Sequence, residues 1–467
     1  MLALLVAAMD STAVGTALPA IGGELGNFSL YPWVFAGYLL TATTTVPIWG
    51  RLADIFGRKR VLFTGLSIFV GASVLCGAAP NMLALVVFRS VQGIGAGCLL
   101  PVTLTVVGDL FPMRQRARVQ GLFSGMWAVA SIIGPLLGAT FVSTIGWRWI
   151  FDINVPIGLG CAGLLWTYQD RPHGSRVPID WTGAALLTTG VALLLLGFGA
   201  GSSGDAPSWP AIGTALLILG AFVLVERRQA NPTVPLRFLL HPVIGPALLA
   251  AILAGTLMFG LTSYVPLYVQ GALGGSPYQA GAAIAPLSLG WPAAAVLSGR
   301  LLVRAGYQRL VVVGAAIMVV GTVLFASAPR VPAVLWLAIA VFVIGFGMGM
   351  LQTPLLIVLQ SVVDWRNRGA VTALNQFSRT IGGAIGVALM GVLILAEIHA
   401  TAVARGLDPA SFSNPLQYTL HRSSLSRSSR SLVAVGVHSL NWVFLALAAA
   451  TLATAIGIAL RSPRQRA

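Results

Sequence analysis

Gly50-Arg51-Leu52-Ala53-Asp54-Ile55-Phe56-Gly57-Arg58-Lys59-Arg60 is a short charged stretch set between two long apolar runs, 32 to 50 and 60 to 79. It holds four basic residues in a chain of 467 residues of which 57% are hydrophobic and only 9% charged. An ordinary soluble domain carries about 25% charged residues, so a soluble enzyme is excluded. A membrane-spanning helix needs roughly 20 mostly apolar residues. The stretch therefore reads as a tight loop between two spans, with Gly50 and Gly57 permitting the sharp inter-helix turn.

Working outward, apolar runs bounded by Gly, Pro and charge fall at 1 to 21, 32 to 50, 60 to 79, 82 to 107, 119 to 142, 149 to 168, 181 to 201, 209 to 225, 243 to 269, 278 to 299, 308 to 328, 332 to 360, 370 to 397 and 437 to 460. That is fourteen spans in an all-α polytopic membrane protein. Of the 28 Lys and Arg residues, 20 lie in loops on the side shared by both termini and 6 on the other. Basic residues are retained on the cytoplasmic side, so both termini are expected to be cytoplasmic and the protein to sit in the cytoplasmic (inner) membrane. The net charge of +16 would suggest nucleic acid in a soluble protein. Here the basic residues cluster between spans and orient the chain, so lipid bilayer rather than nucleic acid is the expected partner. The long loop 398 to 436, rich in Ser and Arg, is the one local violation of this pattern; a partly helical external cap and a disordered segment both fit it.

Cys76, Cys98 and Cys161 lie inside apolar runs and share no ligand spacing with any histidine, so neither a disulfide framework, a metal nor another cofactor is expected. The first twenty residues carry Asp10 and no basic n-region, which reads as an uncleaved first span rather than a signal peptide. A first span normally has flanking cytoplasmic residues, which predicts that the natural start lies upstream.

The chain also repeats itself in its punctuation. Gly50-Arg51-Leu52 and Gly57 recur as Gly299-Arg300-Leu301 and Gly306; Gly93, Gly95, Gly97 and Pro101 recur as Gly345, Gly347, Gly349 and Pro354; Arg114 and Arg116 recur as Arg366 and Arg368; Gly134-Pro135-x-x-Gly138 recurs as Gly382-Gly383-x-x-Gly386. Two six-helix halves, 1–168 and 243–460, with two inserted helices and their linkers at 169–242 and a tail at 461–467, account for this pattern. Parallel halves around a central cavity are the architecture of one large class of secondary transporters.

Four stretches carry a family resemblance across the chain. The Gly50 to Arg60 stretch resembles the cytoplasmic signature of the major facilitator superfamily. Met9-Asp10-Ser11-Thr12 with Ala17-Leu18-Pro19 resembles the first-span motif of its fourteen-helix drug:proton antiporters, with Gly15 and Thr16 departing from it. Phe88-Arg89-Ser90-Val91-Gln92-Gly93 resembles the fourth-span motif, and Ala130 to Gly138 the fifth-span antiporter motif, with Ala130 and Ala139 in place of glycines. The resemblance implies the major facilitator fold, a place for Arg89 in a proton relay, and a cytoplasmic gate of Gly50, Asp54, Gly57, Arg58 and Asp109 that holds the halves together when the cavity faces outward. The second-half copy has Val303 in place of Asp54, so only the first half should carry the full gate.

The residues supply their own reasons. A carboxylate mid-span, as at Asp10, costs about 2.5 to 3.5 kcal/mol on insertion scales and marks ion or proton paths. A link to Arg89, direct or through water, is the expected pairing. Gly134-Pro135, with Gly138, removes a backbone hydrogen bond and forms a candidate hinge. Gly93, Gly95 and Gly97 have no preceding strand and read as close-packing positions, not a nucleotide fingerprint. Gly57-Arg58-Lys59 lacks the Ser or Thr of a phosphate loop, so ATP is not the expected energy source. Asn154, Gln352, Asn375, Gln376 and Arg379 are the polar candidates for a substrate cavity; Arg379 leaves neutral and anionic compounds open.

The expected activity is proton-coupled export of a hydrophobic small molecule by a monomer. Proton-coupled nutrient uptake and a membrane sensor on a transporter scaffold are the competing readings. A short basic leader added before Met1 should raise the amount of inserted protein if the natural start lies upstream. Equal insertion and topology without it, in a reporter-fusion assay, would remove that expectation.

Overall fold

The computed structural model describes residues 1–25, 33–111, 113–167, 181–202, 208–229, 236–275, 277–327, 333–407 and 427–461. Among these, every regular element is helical. The helices are α1 (Leu2–Leu25), α2 (Trp33–Phe56), α3 (Arg58–Gly77), α4 (Met82–Leu110), α5 (Met113–Thr144), α6 (Trp149–Asp152), α7 (Asn154–Trp166), α8 (Trp181–Ser202), α9 (Trp209–Arg228), α10 (Ile244–Leu267), α11 (Pro277–Ala305), α12 (Tyr307–Ala326), α13 (Ala333–Ser361), α14 (Arg368–Ala404) and α15 (Arg427–Arg461). Ten helices among the described residues are long and apolar enough to cross a membrane. The stretches expected to span at 1 to 21, 32 to 50, 119 to 142 and 181 to 201 also lie on helices, namely α1, α2, α5 and α8.

Two sequence boundaries move. The span expected at 149 to 168 is present as Trp149–Trp166, with a turn at Ile153 between α6 and α7, and ends two residues early. The loop expected at 398 to 436 is shortened from both ends, because α14 continues to Ala404 and α15 begins at Arg427. Its middle, 408–426, where the cap or disordered segment is expected, lies outside the described residues.

The chain forms two compact units. The first contains Met1–Thr188, Phe222–Phe238 and Leu356–Phe377; the second contains Thr189–Ala221, Leu239–Leu355 and Ser378–Ala467. In the first unit, Val6, Tyr38, Trp49, Leu66, Phe69, Leu99 and Val102 belong to one buried core drawn from α1 to α4.

Glycine sets the helix spacing, and it does so the same way in each unit. On α4, a Cβ at Gly93 would lie 2.4 Å from the Tyr38 carbonyl oxygen and one at Gly97 would lie 2.5 Å from that of Ala42, both on α2; one at Gly95 would lie 2.5 Å from the Phe69 nitrogen on α3. On α13, Gly345 and Gly349 likewise abut the carbonyl oxygens of Leu287 and Trp291 on α11, while Gly347 abuts Gly314 and Met318 on α12. No side chain fits at such distances, so backbone meets backbone, as small residues allow in membrane bundles. The turns repeat too: Gly57 and Gly306 both hold positive φ, 96° and 74°, which an L side chain rarely adopts.

Gly95→Ala should therefore lower thermal stability of the purified protein, by about 1–3 kcal/mol for an overpacked site. Gly71→Ala, with nothing within 4 Å of the added Cβ, should be neutral or slightly stabilising. Equal melting temperatures for the two variants would contradict this account of the packing.

Candidate functional site

Two buried charge clusters organise the first unit. One lies at the middle of α1. Asp10 is 1% exposed, and both of its carboxylate oxygens are occupied. Arg89 Nη1 donates to Oδ2 at 2.6 Å, while Gln92 Nε2 and Asn154 Nδ2 donate to Oδ1 at 3.0 and 2.9 Å. Arg89 and Gln92 are one turn apart on α4, so the same helix face supplies the cation and an amide. Gln92 Oε1 in turn accepts from Arg89 Nη1 at 2.6 Å. Ser73 Oγ closes the network: it accepts from Gln92 and Asn154 at 3.0 and 2.8 Å and donates to the Phe151 carbonyl at 3.1 Å. The Arg89 guanidinium also lies 4.1 Å from the Tyr38 ring centroid and is 0% exposed.

This is the arrangement a buried carboxylate requires. Charge in a low-dielectric interior is tolerated when paired and hydrogen-bonded on its remaining lone pairs, whereas deleting one partner costs about 3–5 kcal/mol. A cavity with about 10 Å³ of room for water centres lies against Asp10, lined by Met9, Ala13, Leu137, Phe141, Ile150, Ile153 and Asn154. That is space for a single water. Asn154, expected among the substrate-cavity residues, is thus engaged with Asp10.

α5 packs against α1 just beyond this site. Thr12 Oγ1 donates to the Ala130 carbonyl at 3.1 Å, and a Cβ on Gly134 would lie 2.0 Å from that same Oγ1. The second unit has the counterpart: Thr256 Oγ1 on α10 donates to the Gly382 carbonyl on α14 at 2.8 Å. α5 is helical through the Gly134-Pro135 step and Gly138; the Pro135 side chain lies outside the described part of the structure.

The second cluster surrounds the Gly57 turn. Gly57 ends α2 and starts α3, which places Asp54 and Arg58 on either side of the turn. Arg58 is 0% exposed. It reaches Asp54 Oδ1 at 2.9 Å through Nη2 and Asp109 Oδ2 at 3.0 Å through Nε, donates to the Ala53 and Trp365 carbonyls, and lies 4.4 Å from the Trp365 ring centroid. Asp54 also accepts from the backbone N–H groups of Gly369 and Ala370 at 3.2 and 2.9 Å, at the start of α14. Those amides lie at a helix N-terminus, where carboxylates are favoured. Arg368 adds a second cation, 3.5 Å from Asp109 Oδ1, and donates to the Gly108 and Gln360 carbonyls. A Cβ on Gly50 would lie 2.3 Å from that of Ala373, so Gly50 permits the approach of α2 to α14.

The remaining polar candidates are divided between the two units. Asn375 and Gln376 are buried in the first unit, and Asn375 Nδ2 makes no hydrogen bond with any described residue. Gln352 and Arg379 belong to the second unit. Sequence reading gave no role to Ser73, Tyr38, Trp365 or Arg368. Gln92 had a signal, its one-turn spacing from Arg89; Ser73 and Tyr38 had none beyond being polar or aromatic inside apolar runs.

A helical membrane protein with glycine-spaced bundles, a buried carboxylate–guanidinium pair and a charged inter-helix turn has the features of a polytopic transporter. Residues 1–387 match the Major Facilitator Superfamily. The chain is 35% identical over 401 residues to Multidrug transporter protein MdtP of Bacillus subtilis, covering 85% of this chain and 74% of that protein. It is 32% identical over 400 residues to Multidrug resistance protein 3 of the same organism, covering 84% and 78%. Among solved structures it resembles the human organic anion transporter MFSD10 (TETRAN), with a TM-score of 0.63 at 16% identity over 96% of this chain and 98% of that one. It also resembles the proton:xylose symporter XylE, with a TM-score of 0.58 at 16% identity over 95% and 94%. The chain belongs to the Major Facilitator Superfamily. It is a multi-span membrane transporter and not an enzyme.

Burial pushes the Asp54 carboxyl up to about 7, against the downward pull of Arg58, the Ala370 and Gly369 amides and Arg51. A carboxyl raised above its ordinary value of about 3.9 favours the packed arrangement when protonated. That contribution is fully present below about pH 4 and is lost as pH rises through about 7. In a background lacking the three native cysteines, thiol labelling of Ala370→Cys should accelerate as pH rises through 7, after correction for thiolate fraction. Asp54→Asn, which is neutral at every pH as the protonated carboxyl is, should give slow labelling without that pH dependence. Labelling of the variant that still accelerates through pH 7 would show that another group titrates there.

Proposed function

We propose that this transporter is a proton-coupled antiporter that exports hydrophobic small molecules, drugs or antibiotics among them, across the cytoplasmic membrane by alternating access. The observation that carries the reading is the Asp10 site: one mid-span carboxylate, buried, matched by Arg89, and beside space for a single water. A buried carboxylate at membrane depth, held by a cation and amides that can rearrange, marks an ion or proton path. The relatives named a multidrug transporter and a multidrug resistance protein support the substrate class.

In this reading Asp10 carries the proton, Arg89 holds the carboxylate when the proton is absent, and Gln92, Asn154 and Ser73 position the pair. Protonation of Asp10 releases Arg89 from its ionic partner. That change biases a two-state bundle, since a ligand shifts an equilibrium only through its differential affinity for the states. The Asp54, Arg58, Asp109 and Arg368 cluster serves as the cytoplasmic gate, with the second-repeat segment around Gly369 supplying its amides. Gly134, Pro135 and Gly138 form the hinge. The chain works as a monomer with fourteen spans and both termini in the cytoplasm, and it needs no ATP or metal.

Asp10→Asn should abolish export driven by a pH gradient in everted vesicles, with a loss of at least a hundredfold in initial rate, while equilibrium binding of the same dye changes less than threefold. The amide keeps the size but cannot cycle a proton. Undiminished gradient-driven export by the variant would rule the mechanism out.

A further inference from the structure

Arg58 and Arg89 are fully buried, Arg379 is partly so, and the first two are matched. Arg58 has Asp54 and Asp109, and Arg89 has Asp10. The third, Arg379 on α14, makes no ion pair and no hydrogen bond with any described residue; its Nε is buried without an acceptor. Its guanidinium has an aromatic neighbour: Cζ lies 5.5 Å from the Trp291 ring centroid on α11. Glu397, the other charged residue of α14 beyond the arginine, is eighteen positions further along, about 27 Å at 1.5 Å per residue, and cannot reach it.

The same neighbourhood holds a second orphan. Gly349 on α13 sits against the Trp291 carbonyl, and Gln352 follows it by three residues on the same helix face. Gln352 is 6% exposed and its Nε2 is buried without a partner. Trp291 thus has the Arg379 guanidinium near its ring and, through Gly349, the helix that carries Gln352 against its carbonyl, and each brings a donor that the described residues leave unsatisfied. Arg379 as a whole is partly exposed. Ionisable groups at membrane depth face a bundle interior or a watery cavity rather than lipid, so this guanidinium is reachable. Buried donors without acceptors are costly, and a planar fork of N–H groups fits a carboxylate bidentately.

We infer that Arg379, Gln352 and Trp291 form the site for the acidic head of the substrate, and that the preferred substrates are lipophilic monocarboxylic acids. The carboxylate receives the Arg379 fork and the Gln352 amide, and the apolar body lies over Trp291. This names the substrate class of the export reading above and rests on that reading only for the direction of transport.

Dansyl-aminohexanoic acid and its uncharged methyl ester test the site, because they differ in the acceptor group and little in size. Binding to the purified full-length protein, read by energy transfer from tryptophan to dansyl, should favour the acid at least tenfold, which is about 1.4 kcal/mol. Arg379→Gln should erase the preference by weakening the acid alone, Arg379→Lys should keep part of it, and Gln352→Ala should reduce it with the ester unchanged. If Arg379→Gln fails to fold, the Lys and Gln352 variants decide. No acid preference in the native chain, or a preference that survives in all the folded variants, overturns the inference. An acid preference that depends on Arg379 without export of either probe from vesicles would leave the site standing and remove the export reading. Export of both probes at equal rates by the native chain and Arg379→Gln would do the reverse.

Discussion

A charge inside an apolar helical bundle persists only where something matches it, and the first unit is arranged around two such matches. Arg89 and Asp10 bring α4 to α1, and Gln92, Asn154 and Ser73 draw in α3 and α7 by taking up the remaining hydrogen-bond capacity. Arg58 does the same at the Gly57 turn, tying the end of α2 to the end of α4 and, through Asp54, to the start of α14. Neither pair is a net source of stability by itself, since the desolvation of two ions offsets much of their attraction. What they supply is a defined arrangement with a steep cost for losing one partner. That combination suits a bundle that must change state and return.

Glycine makes these pairs reachable. Helices whose axes approach closely enough for backbone contact leave no space for side chains at the crossing, and Gly93, Gly95 and Gly97 provide that crossing for α4 as Gly345, Gly347 and Gly349 do for α13. The two units therefore share a packing plan while differing in chemistry. The Thr12 and Thr256 bonds to α5 and α14 occupy corresponding places, yet the helix carrying Thr256 has no carboxylate. Among the described residues the buried carboxylate–guanidinium pair belongs to the first unit, whereas Arg379 in the second has no ion-pair partner.

Much of this was legible in the chain. A single Asp in an apolar run, an Arg in another and eleven residues of charged turn stand out because composition elsewhere is so uniform. Asp10 and Arg89 could be paired because each intramembrane charge needs a partner of opposite sign, and the repeated glycines announced close packing. The partners of Asp54 on α14 were not legible, because backbone amides have no sequence signature and lie more than 300 residues away. Asn154 was placed with the substrate candidates since a buried amide reads the same in either role; only its 2.9 Å contact with Asp10, 144 residues distant, separates them. The end of α14 and the start of α15 were missed for a different reason. α15 begins in polar sequence, Arg427 to Ser431, where apolar periodicity stops reporting, and α14 runs seven residues past Glu397, the charge at which the apolar run was ended.

The central claim is that the Asp10 carboxylate exchanges a proton as substrate binds. Proton release on adding an exported dye to the purified protein, in weakly buffered solution and read with a pH indicator, tests it without a membrane gradient. Native protein should release a fixed number of protons per bound dye, and Asp10→Asn should bind the dye and release none. Equal release from the two proteins would contradict the claim and move the coupling to another group.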